Sequence, residues 1–157
     1  MTSLSETSKY LNDLMPLIRE RLAGGQSVRF APKGTSMLPM LRQGVDTVEI
    51  SPLPEQLKKY DLPLYQRDNG QYVLHRIVRV GETYTCIGDN QFIFEPDVRQ
   101  DQMIALVTAF VRDGKRIEVT DPRYQFYCRF WCASRPVRHL RSTGIGLLKR
   151  VVRRCLK

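Results

Sequence analysis

No run of eighteen consecutive apolar residues occurs in this 157-residue chain, so no transmembrane helix is expected. Met1 to Lys9 is polar and lacks the apolar core of a secretory signal, so none is expected there. Cysteine is scarce. Cys86, Cys128, Cys132 and Cys155 form no CxxC pair, and the chain holds only two His. That inventory does not favour tetrahedral zinc, and no metal or cofactor is expected. The thiols read as reduced and partly buried, as in a reducing compartment. Acid is absent from the end of the sequence: ten Lys or Arg lie between Arg123 and Lys157, with no Asp or Glu. Residues 1–122 carry 15 basic and 16 acidic side chains, so the tail holds the whole net charge of +9. A nucleic-acid-binding domain spreads its positive charge over a folded face, so nucleic acid is not an expected partner. A basic tail by itself suits an anionic membrane surface, an acidic partner or nucleic acid, and the first two are the expected ones. The expected location is cytoplasmic, with peripheral attachment to the inner face of the membrane.

The length suits one domain with a sizeable core, and 42% hydrophobic with 26% charged residues describes a globular chain. Leu11, Leu14, Met15, Ile18 and Leu22 recur at helical spacing and predict a helix over 5–22. Ser5 is its expected N-cap, Gly24-Gly25 its stop, and Pro16 an internal blemish. Extended runs follow at 26–30 and 45–50. Asp68-Asn69-Gly70 separates 62–67 from 72–80, Gly81-Glu82 separates 72–80 from 83–87, and Asp113-Gly114 separates 103–112 from 116–119. Asn-Gly and Asp-Gly are strong hairpin signals because both tolerate positive φ. The body is therefore expected to be mainly β, a small curled antiparallel sheet or barrel. Tyr124 to Ala133 has a helical pattern. Leu147, Leu148, Val151, Val152, Cys155 and Leu156 form an apolar stripe opposite Lys149, Arg150, Arg153, Arg154 and Lys157, the pattern of an interfacial amphipathic helix. The division drawn from sequence is a body over 1–122 and a basic amphipathic tail over 123–157.

Three stretches carry residues with chemistry. Gly34-Thr35-Ser36-Met37-Leu38-Pro39 places a serine in a turn, where its hydroxyl needs a base within hydrogen-bond reach to act as a nucleophile. Val73-Leu74-His75-Arg76-Ile77 holds the body's one His, expected on a strand with Val73 and Ile77 on the same face. Ile87-Gly88-Asp89-Asn90, with Glu95 and Asp97 shortly after, offers carboxylates that can orient a histidine. Taken singly, each is an ordinary turn or strand feature; together they make a nucleophile, a base and an acid.

The order and wording of these stretches resemble the signal peptidase family of serine peptidases. The likeness runs from about Val28 to Val119. It comprises Gly-x-Ser-Met-x-Pro at Gly34 to Pro39, Gly44, His-Arg-Ile-Val at His75 to Val78, and Gly-Asp-Asn at Gly88 to Asn90. A His base, where the bacterial housekeeping branch has Lys, resembles the archaeal and endoplasmic-reticulum branch and small stand-alone bacterial forms of the S24/S26 type. The resemblance implies a LexA-like β fold and a serine endopeptidase that cuts a leader or signal-like peptide after small side chains. It implies Ser36 as nucleophile, His75 as general base, and an acid at Glu95, where the family has Asp; Asp97 and Asp89 are the other candidates. The oxyanion would meet the Ser36 backbone N–H with Thr35, because Gly34 stands where the family often has Ser. Tyr60-Asp61 replaces a usual Gly-Asp, and an N-terminal anchor of the family's kind is not expected. These departures keep a second reading open, a catalytically degenerate module that binds a peptide or partner, or docks on a membrane surface. A self-cleaving regulator of the LexA kind is the third, lacking a helix-turn-helix and a Lys base.

Overall fold

A computed structural model of the chain describes residues 3–142, with side chains from Leu11 onward. Helix α1 (Ser3–Ala23) buries Leu11, Met15, Ile18 and Leu22, the stripe expected from sequence. It begins ahead of Ser5, so that residue lies inside the helix rather than capping it. The glycines close it: Gly24 N–H donates to Glu20 O and Gln26 N–H to Arg21 O. Pro16 is accommodated within it.

Among the described residues nine strands follow, all paired antiparallel: β1 (Val28–Phe30), β2 (Thr47–Ser51), β3 (Pro63–Gln66), β4 (Tyr72–Leu74), β5 (Arg76–Val80), β6 (Tyr84–Ile87), β7 (Glu95–Val98), β8 (Met103–Arg112) and β9 (Lys115–Glu118). The larger sheet has the order β1-β2-β8-β3-β4, with β9 also on β8; the smaller is β5-β6-β7. The expectation of a mainly β, antiparallel body holds. Among the described residues the sheets do not close into a barrel, because two separate sheets leave β1 and β4 as edges of the larger one. The reason lies in 72–80, expected as one strand. It breaks at His75, so β4 finishes the large sheet and β5 starts the small one. β5 then bonds back to the preceding loop, with Tyr60 N–H donating to Ile77 O and Ile77 N–H to Asp61 O. Tyr60 takes φ 80 there, a left-handed conformation at the position where the resemblance has glycine.

The main core lies where α1 packs on the larger sheet, around Leu41, Val48, Ile50, Leu64 and Val107. A second cluster, including Tyr65, Ile77, Cys86 and Val98, fills the space between the sheets. Helix α2 (Pro122–Ala133) starts at the boundary drawn from sequence. Asp121 caps it by accepting from Arg123 N–H, and its Tyr124 and Cys128 are buried in the main core. Ser134 interrupts the helical path, and residues 135–142 are helical again. Among the described residues no helix is long and apolar enough to cross a membrane. The stripe at 147–156 lies outside the described residues.

Candidate active site

His75 occupies the break between the two sheets and is 2% exposed. The break takes it out of the strand on which sequence put it. Its Nδ1 lies 2.8 Å from Oε1 of Glu95, the first residue of β7. The other Glu95 oxygen accepts from Tyr65 Oη and from Arg67 Nε, each at 2.8 Å. Arg67 Nη2 closes a second bond onto Oε1. Burial alone would raise the Glu95 pKa, but the bonds from His75, Arg67 and Tyr65 outweigh it and hold the carboxyl far below its usual range. Tyr65 is shifted the other way, by burial first and then by neighbouring Cys86 and Glu95, so its phenol stays protonated and donates. An ionised Glu95 accepting from Nδ1–H fixes the neutral imidazole in the tautomer whose Nε2 carries the lone pair.

Ser36 stands on the loop between β1 and β2, half-buried. Gly34, at φ +98, makes the turn into it. The Gly-Asp-Asn stretch holds this loop from the opposite side. Asn90 N–H donates to Ser36 O at 2.8 Å and Asn90 Nδ2 to Thr35 O at 3.2 Å. Gly88 is required by approach, not by dihedral: a Cβ there would sit 2.7 Å from Ser36 O. Asp89 is fully buried and grips Arg76 side-on, accepting from Nε at 2.8 Å and Nη2 at 2.7 Å. Helix α2 seals that pair, with Tyr127 Oη donating to Asp89 at 3.2 Å and Arg76 Nη1 donating to Tyr124 Oη at 3.0 Å.

The three candidate acids therefore separate. Glu95 is on the imidazole. Asp89 is spent on Arg76 in a structural pair, and Asp97 is exposed on β7 at φ 59. Neither is the group that holds His75. Thr35 is exposed beside Ser36, with its carbonyl engaged by Leu38 N–H and Asn90.

Ser36 and His75 line one cavity of ≈ 380 Å³, together with Asn90 and apolar walls from Leu11, Phe30 and Leu74. Among the described residues no hydrogen bond links Ser36 Oγ to His75; they share the cavity without touching through one. Sequence reasoning missed Tyr65 and Arg67. The hairpin signal at 68–70 held the clue, because pairing β3 with β4 sets Tyr65 opposite Val73, two residues from His75. Among the described residues no group of three or more His, Cys, Asp or Glu is placed to hold a metal ion. No protein-family model matches the chain, and no curated protein matches it in sequence.

Proposed function

We propose that the chain is a serine endopeptidase working through Ser36, His75 and Glu95 on a leader or signal-like peptide. The observation that carries this reading is the 2.8 Å contact of His75 Nδ1 with an ionised Glu95, at the wall of a cavity that also holds Ser36. In the reaction, His75 Nε2 takes the Ser36 proton as Oγ attacks the scissile carbonyl carbon. Glu95 stabilises the imidazolium that results. The tetrahedral oxyanion is met by the Ser36 N–H, with Thr35 beside it. The imidazolium then protonates the leaving amine as the C–N bond breaks, leaving an acyl-enzyme. Water, deprotonated by His75, attacks the ester, releases the acid and returns the proton to Ser36. The resemblance to signal peptidases supports a substrate of leader type, and the walls from Leu11, Phe30 and Leu74 suit apolar side chains on it.

The test is labelling by a serine-reactive activity probe with the adduct mapped by mass spectrometry. The reading predicts modification at Ser36, lost in Ser36→Ala and in His75→Ala. Modification elsewhere, or equal labelling of Ser36→Ala, overturns it. A second reading, a peptide-binding module without turnover, is favoured by the missing Ser36–His75 hydrogen bond. It predicts peptide binding that Ser36→Ala leaves unchanged, with no cleavage by either protein.

A further inference from the structure

The loop over 90–94 has two sides. Asn90 and Gln91 line the cavity that holds Ser36, while Phe92 and Phe94 line a second one, of ≈ 520 Å³. Arg135, only 6% exposed, forms part of the second wall. Among the described residues its Nε and Nη2 are buried without a hydrogen-bond partner. These are the same two atoms with which Arg76 grips the Asp89 carboxylate, at 2.8 and 2.7 Å. Arg76 has its acid, and among the described residues Arg135 has none. A guanidinium stays charged at any working pH, and burying one unpaired is costly. Its side-on edge matches the two oxygens of a carboxylate.

The rest of the cavity fits that charge. Among the described residues no Asp or Glu lines it, and Lys59 adds a second positive charge. Arg138, one turn from the same wall, is held below its usual pKa first by burial and then by the charge of Arg135. The other walls are apolar. Phe92 stacks on His139 with ring centroids 4.7 Å apart, and the Phe94 centroid lies 5.7 Å from the Arg135 guanidinium carbon. Phe94, the ring over the guanidinium, is itself 50% exposed.

We infer that this second cavity binds a small apolar carboxylate, its two oxygens on Nε and Nη2 of Arg135 and its aryl or alkyl body against Phe92 and Phe94. The inference does not depend on the peptidase reading.

The experiment uses the full chain, with N-acetylphenylalanine and its uncharged amide as probes, followed by calorimetry and thermal unfolding. The acid should bind at least tenfold more tightly than the amide and raise Tm, and Ser36→Ala should not alter this. Arg135→Met should abolish the preference for the acid and leave the ligand-free Tm equal to or above that of the parent, because the unpaired charge is gone. Phe94→Ala should weaken the acid at unchanged preference. Equal binding of acid and amide by the parent chain overturns the inference, as does no binding of either, and neither outcome relies on a variant's folding. Retention of the preference in Arg135→Met overturns it too. Inorganic phosphate binding as tightly as the acid would replace the apolar class with a bare oxyanion site.

Discussion

Glu95 is the residue on which the site turns, because three side chains converge on one partly buried carboxylate. The orienting role proposed for Glu95 predicts that Glu95→Gln lowers kcat by about 10²- to 10⁴-fold, since an amide holds the imidazole in the wrong tautomer. Asp97→Asn, on an exposed side chain, should stay within about twofold. Kinetics on the two variants separates them; equal loss would contradict the assignment. The same group sets a pH dependence of stability. The folded pKa of Glu95 is depressed, so its contribution is fully present above the unfolded value of about 4.3 and is lost as pH falls through the folded value. Chemical denaturation should therefore show the parent's advantage over Glu95→Gln above about pH 5 and its shrinking below about pH 4. Cys86 behaves as a buried hydrophobe. Burial, with Glu95 nearby, pushes its thiol up to about 12. At pH 8, iodoacetamide should leave Cys86 unmodified in the folded protein and alkylate it once denatured.

Among the elements, α2 has the most to answer for. It lies beyond the boundary that charge composition suggests, yet it contributes Tyr124 and Cys128 to the core and closes over the Arg76–Asp89 pair. A chain ending at Asp121 should therefore lose cooperative thermal unfolding, and peptide cleavage with it. Asp89→Asn leaves the buried Arg76 charge unmatched, which costs about 3–5 kcal/mol. For a chain of this length that is a fall in Tm on the order of 10 °C. A silent Asp89→Asn would contradict the structural role given to that pair. These elements also show what sequence can and cannot yield. Hairpins at Asp68-Asn69-Gly70 and Asp113-Gly114 are written in local turn chemistry, and β8 runs over Met103–Arg112, the stretch that Asp113-Gly114 closes. The break at His75 is not local. It arises because β4 and β5 find partners in different sheets, and no propensity in 72–80 marks the point. β7 escaped notice for a similar reason: Glu95-Pro96-Asp97-Val98 has little β character and is a strand only because β6 supplies the ladder. Ser36, His75 and Glu95 were legible as types and order. That Glu95 rather than Asp89 faces the imidazole follows from the pairing of β6 with β7, which carries Glu95 opposite Cys86.

At the scale of the whole molecule, a near-neutral body is joined to a segment with ten basic and no acidic residues after Asp121. The stripe at 147–156 faces five Lys or Arg in sequence, each worth roughly 1 kcal/mol near an anionic surface. Co-sedimentation with phosphatidylserine-containing vesicles should be strong at low salt and fall as salt rises. Binding that ignores both salt and anionic lipid would argue for a protein partner instead. The central claim concerns what the body does with a peptide. Its most direct test is incubation of the full chain with a library of leader-like peptides, with the new termini read by mass spectrometry alongside Ser36→Ala and His75→Ala. Defined cuts are expected from the parent chain and none from either variant, with all three proteins unfolding at similar temperatures. Cuts that persist in a folded Ser36→Ala protein would contradict it.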